Sequence, residues 1–222
     1  MFTRLYNGNG SRALNFYSGV KGLVSHGTQL KELLEKDSPD VVLITISPGE
    51  IEGLTAFIRE PFEMNLSDYE IIYGVRLSLY GEVMTPPPIY VEAVKYLMDT
   101  GKKGIGLDMP QEDFDALYSQ TMKTRHLIRH SIRKKRILNF DFKDTNEYEF
   151  SEKWIRRINA VKGLAKIDDT RIDYMAREIE NFASNDYSPK NTIVSDYEFH
   201  KPLISRLETL GWGAKSPSDT GI

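Results

Sequence analysis

The sequence predicts an α/β domain, with a central, largely parallel sheet flanked by helices, and three observations carry that expectation. Val41-Val42-Leu43-Ile44-Thr45-Ile46 is a continuous, mostly β-branched apolar run, the pattern of a strand buried on both faces. Strand-like segments alternate with stretches of helical periodicity at the start, middle and end of the chain. The step from a helix over Ile89–Thr100 into a short strand at Lys103–Asp108 matches the helix-to-strand half of a parallel crossover unit.

The elements follow in order. Asn7-Gly8-Asn9-Gly10 is a turn signal, and Arg12–Gly19 reads as a strand. Leu30, Leu33 and Leu34 mark a helix over Gly27–Lys36, with Thr28 placed to cap it and Ser38-Pro39-Asp40 to break it. Pro48 opens a helix reaching Arg59, since its missing N–H does no harm in a first turn. Asp68–Val83 is a further helix, separated by Pro86, Pro87 and Pro88 from the helix that Gly101 stops. Gln111–Leu138 is expected as one long helix, basic towards its end, with more helices at Glu147–Val161 and Asp168–Phe182. Thr192-Ile193-Val194 is the last strand, Pro202–Leu210 the last helix, and 213–222 a flexible tail. One domain over 1–222, with a helical insertion at about 113–184, is the simplest organisation.

The 222 residues suffice to bury a core without covalent staples. Cysteine is absent, which excludes disulfides, thiol nucleophiles and cysteine-ligated metal sites. A net charge of -3 gives no overall pull towards nucleic acid or an anionic bilayer, so any such role falls to a local patch. Met1–Gly10 is polar, with Arg4 and no apolar stretch behind it, so a secretory signal is not expected and the setting reads as cytoplasmic. No window reaches the roughly 18 apolar residues of a membrane span. No membrane partner is expected, and homo-oligomerisation is left open.

Phosphate-loop, dinucleotide-fingerprint, serine-elbow and His-Glu-x-x-His motifs are all missing. His126 and His130 have metal-ligand spacing, but Lys123, Arg125, Arg129, Arg133, Lys134, Lys135 and Arg136 surround them and would repel a cation. No metal or other cofactor is expected. Arg125, Arg129 and Arg133, four residues apart, form a stripe for nucleic acid or an acidic partner, or else a solvated face that Asp141–Glu152 neutralises. Leu127, Ile128, Ile132 and Ile137 supply the apolar side of that helix. His200 and Asp108 each follow a strand, where the carboxyl ends of a parallel sheet form a crevice. Arg171 begins a helix able to pack over that rim. His26 stands just before the first helix.

Several segments, in this order, resemble one family: Gln29–Ile46 with Ser38-Pro39-Asp40-Val41-Val42, then Pro88–Asp108, Arg171-Ile172-Asp173-Tyr174-Met175-Ala176, and Ile193–Trp212 with His200. Together they resemble the TraB/PrgY family, related to the Tiki proteins and more distantly to erythromycin-esterase and ChaN-like folds. The resemblance implies a metal-assisted hydrolase site of two Gly-x-x-His motifs, a strand-ending glutamate and the arginine of the Tyr-Met-Ala helix. The first motif falls on Gly19-Val20-Lys21-Gly22, so Gly22 stands where that pattern has histidine, and the glutamate position falls on Thr45. The second falls on Tyr197-Glu198-Phe199-His200, and Arg171 and Asp108 match. Losing two ligands speaks against inherited metal catalysis, unless His26 with Glu50 or Glu198 replaces them.

The expectation is therefore a divergent TraB-like protein without metal-dependent hydrolysis, whose cleft at Asp108, Arg171 and His200 holds a small anionic ligand or a peptide. Arg171 would orient the ligand and His200 would hydrogen-bond it, which also makes these two the candidate catalytic residues should the chain be an enzyme. The alternatives are a metal-dependent hydrolase or peptidase with a rearranged site, and a nucleic-acid or acidic-partner binder using residues 123–136.

Overall fold

The computed structural model describes residues 1–137 and 140–214, with the backbone alone for 134 and 135. A hairpin of β1 (Phe2–Asn7) and β2 (Ala13–Gly19) leads into α1 (Val24–Asp37), β3 (Val41–Ile44) and α2 (Pro48–Arg59). Next come α3 (Asp68–Leu77), α4 (Pro88–Thr100) and β4 (Lys103–Gly106). Four consecutive helices follow: α5 (Gln111–Thr121), α6 (Thr124–Ile137), α7 (Glu147–Ile158) and α8 (Lys162–Asn181), which runs into a π-helical turn at Phe182–Asp186. Then β5 (Asn191–Asp196), α9 (Tyr197–Thr209) and a two-residue β6 (Trp212–Gly213) complete the described chain.

The six strands form one sheet in the order β4-β3-β5-β2-β1-β6. The four strands from β4 to β2 run parallel, and β1 and β6 join antiparallel. Strand period sends alternate β3 residues to opposite faces. Val41 and Leu43 pack with Ile172, Met175 and Ile179 of α8 and Leu203 and Leu207 of α9. Val42 and Ile44 pack with Leu30 and Leu34 of α1 and Ile89 and Val94 of α4. Helices thus cover both faces of an α/β sheet. Burying a side chain such as Leu43 contributes about 1.5–3 kcal/mol, so this alternation is the main stabilising pattern. A third cluster, with Leu23, Tyr73, Phe150 and Trp154, brings α3 and α7 together beside the carboxyl ends of the strands.

Several sequence expectations are corrected. β1 lay outside the sequence reading because only Leu5 in it is buried, leaving no apolar alternation to detect. α1 starts at Val24 without a side-chain cap, and the Thr28 hydroxyl instead donates to the Val24 carbonyl at 3.2 Å. α3 stops at Leu77, and Val83 instead bridges to Leu23. The stretch expected as one helix is two, α5 and α6, because Met122 leaves helical geometry and is buried. No Gly or Pro marks that break, and Leu138 lies outside the described residues. α9 begins at Tyr197, capped by Asp196, so Pro202 sits inside it. Of the expected flexible tail, Gly213 belongs to β6 and 215–222 lie outside the described residues. Among the described residues, no helix is long and apolar enough to cross a membrane.

Two glycines shape the end of the sheet that matters below. Gly22, just past β2, has φ +97°, a left-handed conformation that L side chains disfavour. At Gly106 a Cβ would stand 2.6 Å from the Pro48 nitrogen, so the start of α2 packs directly on the end of β4. Gly106→Ala is therefore expected to cost about 1–3 kcal/mol as the backbone is pushed apart. Gly53→Ala, with nothing within 4 Å, should stabilise α2 by up to about 1 kcal/mol. Urea denaturation of both variants tests this, and equal midpoints would show that the close approach of α2 to β4 is wrong.

Candidate functional site

Because β2, β3 and β5 end at neighbouring positions, the loops leaving them surround a common space, the usual ligand position in a parallel α/β sheet. Here that space is a cleft of about 1050 Å³. Its base carries Lys21, Thr45 and Asp196, all just past or at strand ends. Tyr69 and Tyr73 of α3, Trp154 and Ile158 of α7, and Asp168 and Arg171 of α8 form one part of the wall. Phe57, Pro86, Pro87 and Tyr90 form another. The start of α2 is held in place by a capping box in which the Ser47 N–H donates to Glu50 Oε2 at 2.7 Å.

The polar centre is a lysine between two carboxylates. Lys21 Nζ lies 3.1 Å from Asp196 Oδ2 and donates to Glu198 Oε2 at 2.8 Å. Asp196 also caps α9, its Oδ1 accepting from the Glu198 N–H at 3.3 Å. The Lys21 side chain is 36% exposed, whereas those of Asp196 and Glu198 are 2% and 5% exposed. Burial pulls the Lys21 pKa down, but Asp196 and Glu198 outweigh it and hold the ammonium well above its ordinary range. Burial pushes the Glu198 carboxyl up to about 7, with Asp196 reinforcing the shift and Lys21 opposing it. Glu198 Oε1 is buried and has no hydrogen-bond partner among the described residues. Such an orphan acceptor costs about 1–3 kcal/mol.

Arg171 forms a second, already matched centre. Its Nε donates to Asp108 Oδ2 at 3.0 Å, Nη2 donates to the same oxygen, and Nη1 lies 3.7 Å from Asp168 Oδ1. The guanidinium stacks near the rings of Phe199 and Phe114. Burial lowers the Arg171 pKa, and the two aspartates reverse this and hold it above its ordinary range. Burial also raises the Asp168 carboxyl.

The structure thus joins Asp108 to Arg171 but keeps His200 apart. His200 lies one turn into α9, buried, with Nδ1 2.7 Å from Ser18 Oγ on β2, and is not among the residues lining the cleft. Burial lowers its pKa. His26 is also structural in its contacts: Nδ1 accepts from the Val20 N–H at 2.8 Å, and its ring stacks on Tyr148 of α7. On α6, His126 Nδ1 is 3.1 Å from the Thr121 carbonyl and His130 stacks on Tyr69. Leu127, Ile128 and Ile132 do not form a packed apolar side, as expected from the sequence, but are exposed, and only Ile137 is buried. Among the described residues, no ion pair joins Arg125, Arg129 or Arg133 to the acidic segment 141–152.

Sequence reasoning passed over Lys21 and Asp196 as site residues and raised Glu198 only as a replacement ligand. The rule that selected Asp108, position just past a strand, selects Lys21 and Asp196 equally well.

No protein-family model matches the chain, and no curated protein matches it. Three of the positions that the TraB resemblance marks, Gly22, Thr45 and Arg171, nevertheless line this one cleft. Their chemistry does not fit a resident divalent ion. Gly22 offers no donor, and Thr45 Oγ1 is engaged by Tyr90 Oη at 3.2 Å and by the Asp196 N–H at 3.3 Å. The Asp196 and Glu198 carboxylates already face the Lys21 ammonium. Among the described residues, no group of three or more His, Asp or Glu side chains is placed to hold a metal.

The raised Glu198 pKa has a definite consequence for stability. The folded chain binds this proton more tightly than the unfolded one, so its contribution is full below about pH 4.5 and is lost as pH rises through about 7. Wild type is expected to lose stability relative to Glu198→Gln between pH 5 and pH 8, measured by urea denaturation. A wild type that gains on the variant over that interval would contradict the assignment.

Proposed function

We propose that the chain is a divergent TraB-like binding protein, whose cleft takes a ligand with an apolar body and a positively charged or hydrogen-bond-donating head. The observation that carries this reading is the buried, unpartnered Glu198 Oε1 at the polar centre of a largely apolar and aromatic cleft. Apolar walls supply affinity, and a few placed polar groups supply orientation. An amine, including the N-terminal ammonium of a peptide, would donate to Glu198 and gain from Asp168 and Asp196. The charge pattern argues against the anionic ligand expected from the sequence. Lys21 is matched by Asp196 and Glu198, and Arg171 by Asp108 and Asp168, so an incoming carboxylate would compete with resident ones.

The gathering of Gly22, Thr45 and Arg171 around the cleft supports the family reading, and the loss of donors at the first two supports binding over metal-dependent hydrolysis. The cysteine-free composition supports a cytoplasmic setting.

A matched pair of probes separates the ligand classes: phenethylamine and phenylpropanoate, with calorimetry as the readout and Trp154 fluorescence as a local one. Phenethylamine is expected to bind about tenfold or more tightly than phenylpropanoate, equivalent to about 1.4 kcal/mol. Its affinity should rise from pH 6 to pH 8 as Glu198 ionises, because the amine stays protonated throughout. Glu198→Gln should remove both the preference and the pH dependence. Equal or tighter binding of phenylpropanoate, or a preference that survives Glu198→Gln, would defeat the reading.

A further inference from the structure

We propose that the outward face of α6 docks on an anionic lipid surface. The helix packs through one side only: His126 and His130 are half-buried, and Ile137 is fully buried. The other side leaves Leu127, Ile128 and Ile132 at 42%, 58% and 49% exposure. Arg125, Arg129 and Arg136, also exposed, lie among them. At 3.6 residues per turn, Ile128 and Ile132 sit on one stripe, flanked by Arg125, Arg129 and Arg136. No acidic residue occurs between Lys123 and Ile137, although the whole chain carries a charge of -3, so positive charge is segregated on this helix.

Positive charge also gathers where α6 meets α7, at the edge of that face. Arg157 of α7 has a buried Nε with no hydrogen-bond partner among the described residues. Its guanidinium is held below its ordinary pKa range by burial and then by Arg133 and Arg136, with only Tyr69 opposing them.

The exposed isoleucines decide the kind of partner. A nucleic-acid backbone would satisfy the arginines but leave Ile128 and Ile132 in water. A second copy of α6 would cover the isoleucines but bring arginine against arginine. An anionic bilayer surface takes both, with the apolar stripe entering the headgroup boundary and the guanidiniums holding phosphates and carboxylates.

The test is co-sedimentation of the full chain with phosphatidylcholine vesicles, with and without phosphatidylserine. Pelleting is expected only with phosphatidylserine, and should weaken steeply as salt rises. Ile128→Asn with Ile132→Asn should weaken it about tenfold, and Arg125→Glu with Arg129→Glu should abolish it. All four positions are exposed, so circular dichroism should show the fold unchanged. No pelleting on phosphatidylserine vesicles, or pelleting indifferent to the asparagine pair, would overturn the proposal. So would retention of duplex DNA or RNA indifferent to that pair, or a concentration-dependent dimer that the pair dissolves.

Discussion

The ammonium of Lys21, set between Asp196 and Glu198, is the interaction on which the candidate site depends. It ties the turn after β2 to the point where β5 passes into α9, two segments far apart in sequence that sheet pairing brings side by side. Without it, two nearly buried carboxylates would face each other, a placement that costs several kcal/mol unless one of them stays protonated. With it, one of the two negative charges is offset, and the atom without a partner among the described residues is a carboxylate oxygen of Glu198. The preference for a donor head rests on that remainder.

The parts of the fold legible in the sequence are those buried on both sides. Val41–Ile44 reads as a central strand because both of its faces meet helices, α2 reads correctly because Pro48 opens it, and α4 because a proline run precedes it and Gly101 stops it. What could not be read depends on partners distant in sequence. β1 is a strand because β2 and β6 hold it, with Leu5 alone buried. The break between α5 and α6 follows from Met122 packing against Gly163, a contact no local pattern announces.

The site shows the same division. Asp108 is legible by its place at a strand end and Arg171 by a helix expected over that rim, which it lies within rather than begins, but sequence could not show that the two bind each other. His200 was chosen by the same rule and lies one turn too far along α9, directed to Ser18. On α6 the periodicity was visible, whereas the packed side was not. His126 and His130 are half-buried there while Ile128 and Ile132 are exposed, the reverse of what hydrophobicity alone suggests.

The most direct measurement is a double-mutant cycle on Lys21 and Glu198: Lys21→Met, Glu198→Gln and the pair, each followed by urea denaturation at pH 8. A cleft organised by this ion pair requires a coupling of about 1–3 kcal/mol, with Glu198→Gln sparing much of the loss caused by Lys21→Met. Stability losses that simply add would contradict it, and would remove the basis for treating Glu198 as the group that receives a ligand.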